Sequence, residues 1–356
     1  GASPALGDFF LRRHEHLPLT RPYTIAFRSI GAVDNAIVRV ETETGHAGLG
    51  AASPEAFVTG EAFAATLAAL DAEATRWLAG ADVRALPALC RAIAAKLRAT
   101  PAAAAALDMA LHDLFAQLLG LPLCETLGRV HTAFPTSITI GIKPLEAALA
   151  EAREYVERGF TILKVKGGHS LDEDVARLRA LRQAFGGAVA IRVDLNQGYT
   201  LEQTGAFFAR TAGLDIELVE QPVKAAAAGE LRALPEDARR RIALDESILT
   251  EKDALALAAP PAPAGIFNIK LMKCGGIAPA LRIAAIAEHA GISLMWGCMD
   301  ESRISIAAAL HAALASPATA YLDLDGSFDL ARDVAAGGFT VEGGVMRALA
   351  APGLGV

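Results

Sequence analysis

The feature that most restricts the fold is a recurrence. From about residue 134, short β-branched runs alternate with amphipathic helical stretches. The runs are Ser137–Ile142, Thr161–Val165, Ala190–Val193, Leu214–Val219, Ile242–Leu244, Ile266–Ile269, Leu294–Cys298 and Tyr321–Leu324. Most of their spacings are close to 25 residues, the length of one βα unit. Eight such units predict an α/β chain closed into a (β/α)₈-type barrel. The remainder has another texture. Residues 8–50 read as β: Ile37–Glu41 alternates, Thr42–Gly45 supplies a turn, and Gly45–Gly50 is the hairpin partner. Residues 55–120 read as helices, with Thr100-Pro101 a start signal and Ala105–Leu119 apolar enough to be buried. Gly1 to Gly7 read as an irregular lead-in. Residues beyond about 328, with Phe339–Glu342 and the Gly343-Gly344 turn, are expected to return to the first domain.

A chain of 356 residues, 53% hydrophobic and 21% charged, can bury a large core and exceeds one ordinary domain. Its net charge of −7 argues against nucleic-acid and anionic-membrane partners, which need a basic surface. Cys90, Cys124, Cys274 and Cys298 are scattered, which predicts free thiols in a reducing, cytoplasmic compartment. The alanine-rich stretches at Ala102–Ala106 and Ala225–Ala228 are too short for a bilayer and read only as helix formers. Whether the chain forms a homo-oligomer is left open.

The strand ends carry the chemistry. Lys164 and Lys166 alternate onto one face of the second barrel strand, which in a barrel points inward. The third strand ends Asp194-Leu-Asn196, the fourth Glu220-Gln221-Pro222, the fifth Asp245-Glu246-Ser247, and the sixth carries Asn268-Ile-Lys270. Asp194, Glu220 and Asp245 are 26 and 25 residues apart, so they should occupy one level on three adjacent strands. Three converging carboxylates repel unless a cation sits between them, and hard oxygen donors in that number suit Mg²⁺. Lysines on strands two and six would face each other across an eight-stranded ring. That arrangement suits taking a proton from one side of a carbon and returning one to the other. The chain has 25 Arg but only 8 Lys, yet four lysines fall in these two short motifs. Lysine can lose its proton near neutrality and arginine effectively cannot, so the choice favours proton transfer.

As a set, Lys-x-Lys, Asp-x-Asn, Glu-Gln-Pro, Asp-Glu-Ser and Ile-Lys-Leu-Met-Lys-Cys-Gly-Gly resemble the motif series of the enolase superfamily, in its muconate-lactonizing subgroup. The resemblance implies a modified TIM barrel, (β/α)₇β, with an α+β capping domain formed by the N-terminal region and the C-terminal tail. Residues 1–131, completed by 328–356, would be the cap and 132–327 the catalytic barrel. It implies that Asp194, Glu220 and Asp245 bind Mg²⁺ and that Lys166 and Lys270 are the acid/base pair. Lys164 would face the substrate carboxylate and help keep Lys166 neutral by like-charge repulsion. Asp323-Leu-Asp325 resembles the dipeptide epimerases within the subgroup, where such a pair holds the substrate's α-ammonium. The implied reaction inverts the α-carbon of the C-terminal residue of an L,L-dipeptide through an enediolate. The segment Ile25–Ser29 resembles the loop that closes over the dipeptide side chain.

Two residues point to different dipeptides. Arg28 suits an acidic side chain, as in an L-Ala-D/L-Glu epimerase. Asp300 suits a cationic one, and with Asp323 and Asp325 it would make a cleft too negative to leave unpaired; the balance favours Lys- or Arg-containing dipeptides. Cys298 shares the face of Asp300 and should border the pocket, and Thr139 has the parity to reach substrate. Lys273 reads as a structural lysine near a loop carbonyl, Cys274 as a packing residue, and His112, His289 and His311 as ordinary helix histidines. The rival functions are o-succinylbenzoate synthase or a cycloisomerase on the same scaffold, and a non-catalytic metal-binding barrel.

Overall fold

The computed structural model describes residues 4–356, and the side chains of all of these except residues 8, 9 and 11. The chain opens with an antiparallel sheet in the order β1 (Leu6–Thr24), β2 (Ser29–Thr42), β3 (Ala47–Ala52). The expected lead-in is therefore shorter than read: β1 starts at Leu6, and residues 1–3 lie outside the described residues. Helices follow, the longest being Pro101–Leu119. Its first turn is capped from a distance. Glu61, nearly fully buried, accepts the N–H groups of Ala102 (2.7 Å) and Ala103 (3.3 Å), placing an anion at the positive end of the helix. Gly120 ends it at φ 69°.

The alanines of this helix do more than form it. A Cβ at Gly50 would lie 1.9 Å from the Ala106 carbonyl oxygen, and one at Gly48 would lie 2.1 Å from that of Ala110. Glycine on the strand and alanine on the helix let the two backbones touch, so small residues set the sheet-to-helix spacing. The same helix is long and apolar enough to cross a membrane, but 78% of its apolar window is buried inside the protein, where it forms the core of the cap. The second alanine stretch forms a 3₁₀ helix, Ala225–Ala233, not an α-helix.

The barrel is an eight-stranded parallel sheet in sequence order: β5 (Ile138–Ile140), β6 (Ile162–Lys166), β7 (Ala190–Asp194), β8 (Ile216–Glu220), β9 (Ile242–Leu244), β10 (Ile266–Ile269), β11 (Ser293–Trp296) and β12 (Thr319–Leu322). A bridge from Thr136 to Leu322, with the Ser137 N–H on the Leu322 carbonyl (3.1 Å), brings the last strand against the first. All eight expected runs are strands. The last two end two residues earlier than expected, so Cys298, Asp323 and Asp325 lie on loops beyond the strand ends. Pairing decides this: Trp296 and Leu322 are the final partners between β11 and β12.

The C-terminal hairpin, β13 (Phe339–Glu342) and β14 (Val345–Ala348), pairs with the two-residue strand β4 (Phe134–Pro135). Beyond it the tail reaches the cap. Gly353 exchanges backbone hydrogen bonds with Leu121 (2.9 Å) and Leu123 (2.8 Å), and the Leu354 N–H donates to Asp113 (2.8 Å). Ser53 Oγ donates to the Asp300 carbonyl (2.9 Å), tying the cap to the loop after β11.

Candidate active site

The ladder places the expected triad. Lys166 pairs with Asp194, Asp194 with Glu220, and Glu220 with Ala243, two residues before Asp245. Asp194 and Glu220 are therefore level, and Asp245 has the parity to share their face. Gln221 fixes that last position: its Oε1 accepts the Asp245 N–H (2.9 Å), and its own backbone holds φ 35°, a strained value at the turn off β8.

Lysines and carboxylates interleave. Lys164 Nζ lies 2.5 Å from Asp323, 3.4 Å from Asp194 and 3.6 Å from Glu220. Lys166 Nζ donates to Asp194 Oδ2 (2.6 Å) and Asn196 Oδ1 (3.1 Å). Lys270 Nζ donates to Asp245 Oδ2 (2.7 Å). The expected repulsion between Lys164 and Lys166 is thus bridged, because both approach Asp194 Oδ2. Lys273 takes the structural role read for it. It donates to the carbonyls of Asp245 (2.8 Å) and Asn268 (2.7 Å), pinning the end of β9 to β10.

These contacts sort the charges. Burial opposes the Asp194 anion, but Lys166 and Lys164 outweigh it and hold its pKa at about 2. Burial likewise opposes Asp245, and Lys270 with Lys273 holds it well below the carboxylate range. Burial lowers Lys164, yet Asp323, Glu220 and Asp194 push it well above the ordinary lysine value, so it stays a cation. Glu220 is the exception: burial and then Asp194 push its pKa far up. Its buried Oε1 accepts no hydrogen bond, and the Lys164 ammonium stands 3.6 Å away.

Glu220 is therefore the member of the triad whose anion the lysines do not offset. Asp194 and Asp245 are turned to their lysines, so the three carboxylates are not gathered about one point here. Their donor set, three carboxylates on adjacent strands with two buried oxygens that accept no hydrogen bond, Glu220 Oε1 and Asp245 Oδ1, fits Mg²⁺. Among the described residues, the trio of possible ligands with donor atoms within 4.8 Å of one another is Cys90, Asp108 and His112. That cluster is structural: Asp108 accepts the N–H groups of Ile277 (2.6 Å) and Ala278 (3.2 Å) at the start of the helix Ile277–His289.

One cavity joins Lys164, Lys166, Asp245 and Lys270 to Thr139, Cys298, Asp300, Asp323 and Asp325. Asp323 accepts from Lys164 and from Ser137 Oγ (2.8 Å). Asp325 accepts the Thr139 N–H (2.8 Å), and burial and then Asp323 raise its pKa to about 7. Asp300 accepts from Tyr23 OH (2.5 Å); burial raises its pKa despite that bond. Cys298 Sγ rests 3.3 Å from the Asp323 carbonyl.

Arg28 stands apart from the cavity lining. It pairs with Glu55 (2.5 Å) and lies over the Phe57 ring, 4.5 Å from its centroid. Phe27 packs edge-on against Phe57. Ile25, from the cap segment expected to close over the substrate, lines the cavity, but sequence reasoning missed the rest of the cap's contribution. Arg21, Tyr23 and Glu55 line the cavity with Glu151 and Asp329. Arg21 is committed to Glu154 (2.7 Å) and Glu151 (3.3 Å). Their only signal was position, next to the Ile25–Ser29 loop or the end of β3.

Residues 10–128 match the family model for the mandelate racemase / muconate lactonizing enzyme N-terminal domain, and residues 147–356 match that for the enolase C-terminal domain-like family. The chain belongs to the mandelate racemase and muconate lactonizing enzyme family. Within that family, an L-Lys-D/L-Arg epimerase from Methylococcus capsulatus is 62% identical over 344 residues, 97% of each chain. Another from Desulforapulum autotrophicum is 54% identical over 342 residues, 96% of each. The crystal structure of the dipeptide epimerase from Methylococcus capsulatus, complexed with Mg and the dipeptide L-Arg-D-Lys, superposes with a TM-score of 0.97 at 61% identity, covering 99% of both chains.

Proposed function

We propose that this family member is a Mg²⁺-dependent dipeptide epimerase that inverts the α-carbon of the C-terminal residue of an L,L-dipeptide and favours Lys- and Arg-containing substrates. The observation that carries it is the charge arrangement of one cavity. Lys166 and Lys270 enter it from strands on opposite sides of the ring, while Asp300 and Asp325 face it without a basic partner. The two relatives are named for the same cationic pair of residues.

In this reading Asp325, with Asp323, receives the substrate's α-ammonium, and Asp300 receives a side-chain cation. For Asp325 and Asp300, each cation would settle a buried carboxyl that accepts a hydrogen bond only from a neutral donor. Lys164 faces the substrate carboxylate. Lys166 and Lys270 exchange the α-proton, one taking it while the other supplies one to the opposite face. Asp194, Glu220 and Asp245 would hold Mg²⁺, which supplies Lewis-acid charge stabilisation at the substrate carboxylate. Cys298 and Thr139 border the substrate. Residues 1–131 with 328–356 act as the cap that selects the dipeptide, and 132–327 as the catalytic barrel. The four unpaired cysteines accord with a cytoplasmic location.

The deciding experiment is α-deuterium incorporation in D₂O across a dipeptide library. Faster uptake with Xaa-Lys and Xaa-Arg than with Xaa-Glu supports the reading. The reverse order would make the enzyme an L-Ala-D/L-Glu epimerase and bring Arg28 back as a substrate contact. Arg28 is already neutralised by Glu55, which disfavours that outcome. A lyase or cycloisomerase acting on a dianion would meet repulsion from Asp323 and Asp325.

A further inference from the structure

Asn196 and Glu246 belong to strand-end motifs that the reaction above does not use. Both are buried, and both line the cavity. Asn196 Oδ1 accepts from Lys166 Nζ (3.1 Å), and its Nδ2 donates to Glu246 Oε1 (3.3 Å). Lys166 Nζ is the donor on one side and Glu246 Oε1 the acceptor on the other, so one orientation of the amide satisfies both neighbours. The backbone reinforces it. Asn196 sits at φ 42° and Gln197 at φ 67°, both left-handed, and the Asn196 N–H donates to Asp194 Oδ1 (3.0 Å). Lys270 has no such amide; its hydrogen bond is to Asp245.

We propose that Glu246 and Asn196 form a positioning pair for Lys166, so that one face of the substrate meets a lysine aimed through an oriented amide and the other meets a lysine held by a carboxylate alone. Glu246 fixes the amide, and the amide aims the amine. The inference rests on the two-lysine reading above, and the two can fail separately.

The test measures exchange of the α-proton for deuterium in D₂O, without inversion, from each epimer of one cationic dipeptide using the Mg²⁺-loaded enzyme. Lys166→Ala and Lys270→Ala are the references: each should retain exchange of the epimer whose proton faces the surviving lysine. Glu246→Gln keeps the shape but lets either end of the Asn196 amide face it. It should slow exchange of the Lys166-facing epimer by roughly 10-fold or more while leaving that of the Lys270-facing epimer at its original rate. Asn196→Ser should give the same split, and it carries the test if Glu246→Gln does not fold. An equal loss for both epimers in either variant, or no loss, overturns the positioning role while the two-lysine reading stands. References that do not retain opposite epimers overturn that reading, and the positioning role with it.

Discussion

The two halves of the cavity handle charge in different ways. At the ends of β6 to β10, lysines and carboxylates are interleaved at 2.6–3.6 Å, with Glu220 and Glu246 the carboxyls whose pKa burial and neighbouring anions raise. On the loops after β11 and β12, beside the cap, Asp300 and Asp325 are buried with no basic group bonded to them, and both pKa values are raised. The first half pairs most of its charges on adjacent strands and suits one chemistry on many substrates. The second leaves Asp300 and Asp325 without a bonded cation, and in the proposed reading it is the half that selects the substrate. A site can thus keep its reaction fixed on the strand ends while loops and cap set specificity.

The sharpest cut through this contrast is at the lysines. Lys166→Ala or Lys270→Ala should lower inversion by roughly 10²–10⁴-fold, read by polarimetry or NMR. Comparable inversion rates in either variant would mean that the strand-end half does not carry the proton. Chelation of the enzyme should likewise stop turnover, with Mg²⁺ restoring it to wild type but not to Glu220→Gln.

Asp300→Leu tests the other half. The kcat/KM for Lys- and Arg-containing dipeptides should fall by about 1.5–3 kcal/mol, the scale of a charged hydrogen bond, while apolar dipeptides improve. An equal drop for all dipeptides would place Asp300 in the general machinery and erase the distinction between the halves.

Stability against pH is a gentler probe. Burial and then Asp323 raise Asp325 to about 7, and burial raises Glu301 to about 7. Their favourable contribution is complete below the unfolded carboxyl value of about 4 and is lost as pH rises through about 7. Asp194 and Asp245, whose values are depressed, contribute steadily over that window and weaken only below it. His311, pushed down to about 4 by burial, acts oppositely, favouring the fold more as pH rises. Glu246, also raised to about 7 by burial and its anionic neighbours, and His112, which burial lowers but Asp108 raises on balance, act in the same direction as these carboxyls. Against the one lowered imidazole, the metal-free protein should therefore melt at a lower temperature at pH 8 than at about pH 5, and a cationic dipeptide should narrow the gap. A melting temperature that rises across the window would mean that the loop carboxyls are already neutralised.

The smallest expected effect is at Arg28→Ala. Its pair with Glu55 is half exposed, so stability should change by about 0.2–1 kcal/mol and the preference for cationic dipeptides should hold. A large loss of Xaa-Glu turnover would instead put Arg28 in contact with substrate.

The barrel and its polar strand ends were legible because both signals are periodic. A βα repeat close to 25 residues sets the strand order, and alternation within a strand sets which side chains point inward. Lys164, Lys166, Asp194, Glu220, Asp245 and Lys270 each follow from one of these rules. Asp300, Asp323 and Asp325 were legible as candidates, but which of them the fold already pairs was not. Asp323 is occupied by Lys164, a partner 159 residues away on another strand. The capping residues Tyr23 and Glu55 carried no pattern at all.

Local spacing therefore determined which residues reach the mouth of the barrel, since backbone periodicity acts within a strand and its neighbours. The tertiary structure alone decided which of those charges are already paired. Pairing depends on distances between segments far apart in the chain, and a buried charge is controlled by whichever groups the fold brings within a few ångströms. Arg28 and Asp300 looked equally available in the sequence; Glu55 takes up the first, and the second has only Tyr23.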